Sequence, residues 1–469
     1  MDYIYDKLVN YSESDYYGFH MPGHKRNKNI INCRLPYEID ITEIEGFDDL
    51  HHAKDLLLDA QKRAADVYHA DETCFLINGS TSGLLSAIMG STSKGDRILV
   101  ARNCHKSVYH AIYMNELRPV YLYPGFLDEV ELNGQILVED IENAIEKYDD
   151  IKAVVITSPT YDGVVSDVKR IAEVLHEKKI PLIVDEAHGA HFGFHPYFPQ
   201  SANVLGADIV INSLHKTLPA LTQCAVIHMN GPYADRKNIR KYLHILQTSS
   251  PSYILMASMD NCIRLLQDHG RECFDQYVSL LDQTRERLKG LKHMRMVETS
   301  EFDKSKILIS VNHTDMTGKE LYEVLLEKYH LQMEMSAGTY ILAMTSIGDT
   351  KEGMDRLVDA LYEIDSQLTD KENHFDFRLP KLEQVYTSAQ IDEILKRNPQ
   401  FVTESLSYSQ CEGKISTEYA YVYPPGIPLI VPGERISKEA VELLHSYADM
   451  NFSIEGLEND DRIEVLING

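Results

Sequence analysis

The chain has 469 residues, enough for two or three domains with a large buried core. Its hydrophobic content of 43% and charged content of 25% are those of an ordinary globular protein. The formal net charge of −26 argues against nucleic-acid binding, which requires a basic surface. No apolar run approaches the roughly 18 residues of a membrane span, and the first residues lack the pattern of a signal peptide.

The cysteines and the net charge give indications about the cellular location and the ligand. Seven cysteines are scattered along the chain without a CxxC pair or the spacing of a zinc site. This pattern predicts reduced thiols, a cytoplasmic location and no structural metal. The acidic charge would attract a cationic ligand, although many cytosolic proteins are acidic simply for solubility.

Between residues 50 and 230, short apolar and β-branched runs alternate with amphipathic segments. A helix is predicted at 55–68, where apolar residues recur on one face. Strands are predicted at 74–77, 98–101, 120–123, 153–157, 182–185, 209–212 and 225–229. This alternation predicts an α/β fold with a mostly parallel seven-stranded sheet flanked by helices.

The pattern changes after residue 250. A long helix is predicted at 253–288, and the later predicted elements are strands at 307–311 and 340–345 and helices at 319–329, 352–368 and 388–397. The polar stretch 370–374 predicts a linker. The predicted units are an N-terminal arm (1–45), a large domain (46–255), a small α+β domain (256–370) and a C-terminal α+β domain (371–469).

Two residues at the ends of neighbouring predicted strands are the main candidates for binding a cofactor. Asp185 ends the strand at 182–185, and Lys216 follows the next strand in Ser213-Leu-His-Lys. A lysine can form a Schiff base with an aldehyde cofactor, and an aspartate can keep a pyridine nitrogen protonated. Either residue alone would be a weak indication, because most such side chains are solvated. Together they predict pyridoxal 5′-phosphate (PLP) as the cofactor of the large domain.

A candidate phosphate site precedes them. Asn78-Gly-Ser-Thr-Ser-Gly follows a predicted strand and begins a helix, so its backbone amides can form an anion site. Alone, the motif is more typical of a capped turn, but in one sheet with the lysine and aspartate it predicts a phosphate cradle. The motif lacks the Gly-Lys-Ser/Thr of a Walker A loop. Its hydroxyl-bearing residues are Ser80, Thr81 and Ser82.

Other candidates fall at the same carboxyl edge of the sheet. His105 follows the second predicted strand, where its ring could stack on the pyridine or could simply cap a loop. Ser213 and His215 flank the lysine and could reach the phosphate. The segment 157–163, Thr-Ser-Pro-Thr-Tyr-Asp-Gly, either shapes the cofactor pocket or forms an ordinary turn.

Six ordered motifs together resemble the Orn/Lys/Arg decarboxylases, bacterial fold-type-I PLP enzymes that act on basic amino acids. The resemblance extends from about residue 15 to the C-terminus. The motifs are Gly18-Phe-His-Met-Pro-Gly-His-Lys, Asp40-Ile-Thr-Glu, Asn78-Gly-Ser-Thr-Ser-Gly, Asp185-Glu-Ala-His-Gly-Ala-His, Ser213-Leu-His-Lys-Thr-Leu-Pro-Ala-Leu-Thr-Gln and Tyr423-Pro-Pro-Gly-Ile-Pro. The resemblance implies the PLP-dependent transferase-like fold.

The resemblance also implies roles for single residues. Lys216 would be the Schiff-base lysine, Asp185 the partner of the pyridine nitrogen and His105 the stacking ring. His188 stands where some relatives have tryptophan, which makes it a candidate for contact with cofactor and substrate. The implied phosphate ligands are Ser80, Thr81, Ser82, Ser213 and His215.

Two implications concern assembly. The segment 247–251 resembles one that reaches the neighbouring subunit's cofactor, through either Thr248 or Ser249. The expected assembly is therefore a homodimer, or a dimer of dimers, with shared active sites. Long family members carry an N-terminal receiver-like domain, whereas here the His20-Met-Pro-Gly-His-Lys motif comes almost at once. The chain thus resembles the short form, whose members include arginine decarboxylases.

The fold does not select the reaction. Aminotransferases hold the substrate carboxylate with an arginine on the small domain, and the stretch 337–346 has none, which favours loss of CO₂. Arg356 or a more distant arginine could substitute. Glu434 is the candidate for the cationic head group of the substrate, or else a solvated loop acid.

The predicted function is α-decarboxylation of a basic L-amino acid, arginine first, then lysine or ornithine, feeding polyamine synthesis. The alternatives are a PLP-dependent aminotransferase or other carbon–carbon lyase and, more remotely, a non-catalytic regulatory relative. No nucleic-acid or membrane partner is expected.

Overall fold

The computed structural model of the chain describes residues 3–14, 35–128, 132–371, 378–397, 402–422, 426–450, 454–459 and 461–467. The motif that begins at Gly18, most of the predicted linker and the start of the Tyr423 motif lie outside these residues. None of the helices in the described part of the chain is long and apolar enough to cross a membrane.

The first 230 residues build the large sheet. Their strands are β1 (Glu72–Leu76), β2 (Arg97–Ala101), β3 (Arg118–Leu122), β4 (Phe126–Leu127), β5 (Leu132–Asn133), β6 (Ile151–Thr157), β7 (Leu182–Asp185), β8 (Ile209–Ser213) and β9 (Ala225–Met229). Seven of these described strands form the sheet in the order β1-β9-β8-β7-β6-β2-β3. Only β9 runs antiparallel to its neighbours, while β4 and β5 form a separate hairpin. The predicted mostly parallel sheet is confirmed.

Helices cover both faces of this sheet, which is why every residue of β7 and β8 is buried. The helices are α1 (Ile4–Ser12), α2 (Leu56–Tyr68), α3 (Gly79–Ser91), α4 (Lys106–Met114), α5 (Val138–Lys147), α6 (Val168–Glu177), α7 (Leu214–Thr217) and α8 (Arg236–Leu246). Helix α3 lies so close to the sheet that a Cβ at Gly83 would approach Leu76 Cδ1 to 2.5 Å. Glycine at this position allows the contact that places the start of α3 at the sheet edge.

The next part of the chain adds a small antiparallel sheet. Its elements are α9 (Tyr253–Leu288), β10 (Arg295–Val297), β11 (Lys306–Ser310), α10 (Gly318–Tyr329), β12 (Met335–Ser336), β13 (Tyr340–Met344) and α11 (Lys351–Asp365). The strand order of this small sheet is β10-β11-β13-β12. Helix α9 has the predicted bounds and contributes buried residues to the core that the small sheet shares with α2.

The described C-terminal part of the chain forms two further sheets and two helices. The elements are β14 (Glu383–Gln384), α12 (Ser388–Arg397), β15 (Thr403–Ser407), β16 (Ile415–Ser416), β17 (Ala420–Val422), β18 (Ile427–Ile430), β19 (Glu434–Arg435), α13 (Lys438–Asp449), β20 (Ile454–Glu455) and β21 (Arg462–Leu466). The strand orders of the two sheets are β14-β19-β16-β21-β15 and β18-β17-β20. Helix α13 packs on them with an apolar core that includes Leu444, Ile463 and Val465.

A buried arginine joins these C-terminal sheets to the large sheet. Arg102, directly after β2, donates to the carbonyls of Pro428 (2.5 Å) and Leu429 (3.1 Å) and pairs with Glu434 at 3.1 Å. The side chains of Arg102 and Glu434 are 1% and 0% exposed. This contact holds β18 against the loop after β2, so that Ile427 reaches the cavity described next.

Candidate active site

A cavity of about 600 Å³ lies at the carboxyl ends of the parallel strands, where ligands bind in open α/β sheets. Loops after β2, β6, β7 and β8, together with the start of α3, form its floor and near walls. Part of the small sheet forms the opposite wall. Of the residues predicted from the sequence, those lining the cavity are Ser80, Thr81, His105, Asp185, His188, Ser213, His215 and Lys216.

The start of α3 offers an anion site. Asn78 is the N-cap, and Gly79 adopts a positive φ of 71°, which turns the chain from β1 into the helix. The first amides of the helix have no partner within the helix and carry the positive end of its dipole. Ser80 and Thr81 line the cavity, whereas the Ser82 hydroxyl donates back to the Gly79 carbonyl at 2.9 Å. Ser82 therefore stabilises the turn.

Lys216 lies within α7, at the end of β8, and its amine is 2.9 Å from His188 Nε2. Burial lowers the pKa of the Lys216 amine, and the nearby Asp185 carboxylate opposes this effect. Burial and the positive charge of Lys216 lower the pKa of His188 well below its ordinary value. A neutral imidazole accepts the lysine hydrogen bond, which holds the amine in one direction.

Asp185 ends β7 beside this pair and is almost fully buried. Its Oδ1 accepts a hydrogen bond from the Ala187 amide at 3.1 Å. Burial raises the pKa of the carboxyl group, while the charge of Lys216 opposes the rise. A buried carboxylate gains strongly from a cationic partner, and a protonated pyridine nitrogen is such a partner.

His105 lines the cavity and also caps a helix, so the two predicted roles are compatible. It is the N-cap of α4, and its Nδ1 accepts a hydrogen bond from the Ser107 amide at 3.2 Å. Burial, followed by the charge of Lys216, lowers the pKa of His105 to about 4. The helix cap fixes the orientation of the ring, and the low pKa keeps the ring neutral at physiological pH.

Two residues that flank Lys216 lie near the anion site. The Ser213 hydroxyl is 2.6 Å from that of Ser80, which links the end of β8 to the start of α3. His215 Nδ1 donates to the Cys224 carbonyl at 2.9 Å, so its Nε2 is the nitrogen left for a ligand. Burial lowers the pKa of His215.

A buried charged network supports the His188 loop from the small sheet. Lys306 begins β11 and pairs with Asp303 at 2.8 Å, with both side chains 0% exposed. Asp303 also contacts His191 Nε2 at 2.9 Å, and Lys306 donates to the backbone carbonyl of His188 at 3.3 Å. The loop that carries Asp185 and His188 is thus tied to the small sheet.

The small-sheet wall contains residues that the sequence did not single out. Glu334 precedes β12, and its carboxylate accepts a hydrogen bond from the Tyr161 hydroxyl. Asp162 accepts one from the Tyr340 hydroxyl at 2.6 Å. The segment 157–163 therefore shapes the pocket. The alternation of Glu334 with the apolar Met333 and Met335 is typical of an edge strand, but this pattern gives no indication that the acid faces a cavity.

Glu434 is placed elsewhere. It is fully buried in the pair with Arg102, accepts from the Val431 amide at 2.8 Å and is absent from the described cavity lining. Arg356 is also absent from that lining, and its guanidinium instead donates to the carbonyls of Tyr329 and His330. Glu434 is therefore neither a solvated loop acid nor part of the described cavity lining, because its carboxylate neutralises the buried Arg102.

Thr248 and Ser249 are exposed and lie outside the cavity lining of their own chain. The preceding Gln247 is buried, and its side-chain oxygen accepts from the Ile77 amide at 2.8 Å. The Thr248 amide in turn donates to the Asn78 side chain at 3.3 Å. The segment therefore reaches the protein surface directly beside the anion site.

These features fit PLP. The cradle of helix amides and hydroxyls suits a phosphate, the desolvated amine of Lys216 suits an aldehyde, and the buried Asp185 suits a pyridine nitrogen. His188 Nδ1 is a buried polar atom without a hydrogen-bond partner, which is consistent with a polar group bound in the cavity.

Comparison with known proteins agrees with this geometry. The family model described as Orn/Lys/Arg decarboxylase, major domain, matches residues 3–340, and the one for the C-terminal domain matches residues 375–461. The chain belongs to the Orn/Lys/Arg decarboxylase family. As a member of the Orn/Lys/Arg decarboxylases it is a carboxy-lyase, and its cofactor is PLP.

Two relatives show how similar this chain is to other decarboxylases in sequence. The arginine decarboxylase of Bacillus subtilis (strain 168) is 31% identical over 97% of this chain and 95% of the relative. The constitutive lysine decarboxylase of Escherichia coli (strain K12) is 22% identical over 93% of this chain and 76% of the relative.

Solved structures place the Orn/Lys/Arg decarboxylase fold among PLP enzymes. The structure of the E. coli constitutive lysine decarboxylase matches with a TM-score of 0.82 at 20% identity, over 99% of this chain and 81% of that chain. Alanine–glyoxylate aminotransferase from Nostoc sp. matches with a TM-score of 0.54 at 14% identity, over 66% of this chain and 86% of that chain. The predicted fold-type-I architecture is confirmed.

Proposed function

We propose that the protein removes the α-carboxyl group of a basic L-amino acid, releasing CO₂ and the corresponding amine. Arginine is the first candidate substrate, followed by lysine and ornithine. The observation that carries the proposal is the pairing of Lys216 with His188 at 2.9 Å, beside the buried Asp185, in a cavity that also contains Glu334. Family membership supports the reaction class.

When bound, PLP supplies an electron sink for the bond that breaks at Cα. Lys216 would provide the amine that holds the cofactor, and its lowered pKa favours the nucleophilic neutral form. Asp185 would hold a proton at the pyridine nitrogen. His188 accepts a hydrogen bond from Lys216 and so holds the amine in place.

The remaining residues on this side of the cavity hold and orient the cofactor. The helix amides at Gly79–Ser80, with the hydroxyls of Ser80, Thr81 and Ser213, would bind the phosphate, and His215 Nε2 would add a further contact. Their preorganised dipoles need no rearrangement on binding. His105, fixed by its own helix cap, supplies a neutral ring for stacking on the cofactor.

The cavity lining favours decarboxylation over amino transfer. No arginine is among the lining residues in the described part of the chain, and the stretch 337–346 contributes Met344 instead. Arg356, the substitute considered from the sequence, is engaged at the end of α10. Without a guanidinium to hold it, the substrate carboxylate would meet a less polar environment here, which favours its loss as CO₂.

Arginine stands first because the B. subtilis arginine decarboxylase is more similar to this chain than the E. coli lysine decarboxylase, at 31% against 22% identity. The net charge of −26 supports a cationic substrate. Arginine, lysine and ornithine all yield polyamine precursors, so the proposed role is in polyamine synthesis. The six cysteines in the described residues are free thiols, which supports a cytoplasmic location.

The proposed assembly is a homodimer, or a dimer of dimers, with shared active sites. The proposal is supported by Thr248 and Ser249, which are exposed and follow Gln247, itself anchored next to the anion site. Isologous dimers are also the commonest soluble assembly. Ultracentrifugation should therefore show no active species smaller than a dimer, and a fully active monomer would contradict shared sites.

The function is tested by incubating the PLP-loaded protein with arginine, lysine and ornithine separately. Release of CO₂ and the matching amine, identified by mass spectrometry, is the expected result for at least one of them. Transfer of the amino group to pyruvate without CO₂ would instead establish an aminotransferase. No turnover with any of the three would contradict the proposal.

A further inference from the structure

The cavity wall includes a residue from the C-terminal part of the chain. Ile427 is the member of the described cavity lining that comes from the C-terminal sheets. It begins β18, in which Pro428, Leu429 and Ile430 are buried, whereas Ile427 itself is half-buried. The Ile427 side chain therefore keeps apolar surface that is open to the cavity.

Such apolar surface is scarce in this cavity. The aliphatic and thioether side chains among the described lining residues are Leu84, Ala187, Met344 and Ile427. Leu84 and Ala187 are only 1% and 6% exposed, whereas Met344 and Ile427 are half-buried. The apolar surface that these four residues offer to a ligand thus comes mainly from Met344, on the small sheet, and from Ile427.

Two hydrogen bonds hold Ile427 against the loop after β2. The Lys106 amide donates to the Gly426 carbonyl at 3.1 Å, and Arg102 Nη1 donates to the Pro428 carbonyl at 2.5 Å. One of these bonds lies on each side of Ile427 in the chain. The side chain is therefore fixed at the part of the cavity wall that this loop forms.

We propose that Ile427 determines the outcome of the reaction, because its apolar side chain excludes water from the cavity and so favours loss of CO₂ over amino transfer. The inference rests on the proposed function and adds a residue that selects this reaction over its alternative. Water solvates a carboxylate strongly, whereas CO₂ carries no charge, so excluding water favours the loss of CO₂. Amino transfer leaves the carboxylate in its product and gains no such advantage from an apolar wall.

The test compares Ile427→Val with Ile427→Thr, because valine and threonine have nearly the same shape and differ in a methyl group replaced by a hydroxyl. For the basic amino acid that the wild type accepts, Ile427→Thr should release CO₂ about tenfold more slowly than Ile427→Val, at a similar KM. With pyruvate present, amino transfer converts the amino acid to its 2-oxo acid and pyruvate to alanine. The ratio of alanine to CO₂ should therefore be higher in Ile427→Thr by about the same factor.

Two further measurements separate a local from a general effect. The neutral and charged forms of bound PLP absorb at different wavelengths, so without substrate the spectrum of Ile427→Thr should shift towards the charged form relative to Ile427→Val. Val402→Thr makes the same replacement at a position that is 52% exposed and outside the described cavity lining, and it should keep the wild-type rate and spectrum. If Ile427→Thr does not bind PLP, Ile427→Ala and Ile427→Ser repeat the comparison with smaller side chains.

The outcomes are distinguishable. If the wild type decarboxylates a basic amino acid, and Ile427→Val and Ile427→Thr release CO₂ at the same rate with the same proportion of alanine, the inference is wrong and the proposed function stands. If Val402→Thr lowers the rate as much as Ile427→Thr does, the effect is not local to the cavity and the inference is again wrong. If the wild type releases CO₂ from no basic amino acid, the proposed function fails instead.

Discussion

Lys216 Nζ and His188 Nε2 lie 2.9 Å apart, in surroundings where burial lowers the pKa of both groups. Because the pKa of His188 is far below its ordinary value, its neutral imidazole can accept a hydrogen bond from the Lys216 amine without charge repulsion. The pair thus resolves the conflict between burying an amine and keeping it reactive. This relationship and the buried carboxylate of Asp185 next to it lead to the first two predictions.

Lys216→Ala should lose both turnover and the visible absorbance of covalently bound PLP. Lys216 is the lysine among the described residues that line the cavity, so no neighbour can replace its amine. Borohydride reduction of the wild type followed by peptide mapping checks the assignment, and a label on another lysine would contradict it. Lys152→Ala, at an exposed position of β6, should keep turnover and absorbance.

Asp185→Asn should still bind PLP and keep its visible absorbance, but its rate of decarboxylation should fall by orders of magnitude. The neutral amide no longer favours the protonated pyridine nitrogen, and the cofactor becomes a poor electron sink. Cofactor titration and single-turnover measurements separate binding from rate. A rate near that of the wild type would mean that another group holds the proton.

Glu434→Gln should affect stability and leave the KM for the substrate essentially unchanged, in contrast to the role expected from the sequence. Removing the acid leaves the charge of Arg102 buried without its partner, which costs about 3–5 kcal/mol. Urea denaturation measures this loss. Replacing Arg102 and Glu434 together with methionine should restore part of it, because no uncompensated charge then remains. A tenfold higher KM in a stable Glu434→Gln protein would return Glu434 to the pocket.

The free energy of unfolding should fall as the pH drops from about 6.5 towards 3, and His228 should account for part of the fall. Burial lowers the pKa of His228 to about 3, whereas an unfolded histidine titrates near 6.5. Within this window the unfolded chain binds a proton that the folded protein excludes, so acid favours unfolding. The stabilisation is complete above the unfolded pKa.

His228→Gln should therefore flatten the pH dependence, by up to about 1.4 kcal/mol per pH unit. Gln332→Ala, at an exposed position that carries no titratable group, is the control and should keep the wild-type slope. Urea denaturation at a series of pH values measures both. Equal slopes in the wild type and His228→Gln would show that the buried imidazole does not titrate as its environment indicates.

Much of the large sheet could be predicted from the sequence because its strands are buried on both faces. Such strands read as continuous apolar runs, and the predicted bounds at 182–185 and 225–229 match β7 and β9. Predictions at edges were shifted: the run at 74–77 is the strand Glu72–Leu76, because its polar first residues are held by pairing with β9. The apolar pattern of the sequence thus locates the buried strands, whereas pairing with neighbouring strands determines where each strand begins and ends.

The cavity likewise contains residues that the sequence predicts and residues that it does not. Asp185, Lys216 and His105 could be predicted because parallel strands bring the residues that follow them to one edge. Glu334 could not, because it reaches the cavity only through the packing of the small sheet against the loop that carries Tyr161. The sequence alone does not exclude Glu434 from the pocket, because the burial of this acid depends on Arg102, more than 300 residues away in the chain.

The Lys306–Asp303 network has a kinetic consequence. Through His191 and the His188 carbonyl it fastens the small sheet to the loop beside Lys216, with every charged member in the dry interior. Swinging the small sheet away would break this charged cluster and admit water to it, at a cost of several kcal/mol. The small sheet should therefore stay attached to the loop beside Lys216 during substrate entry and product release.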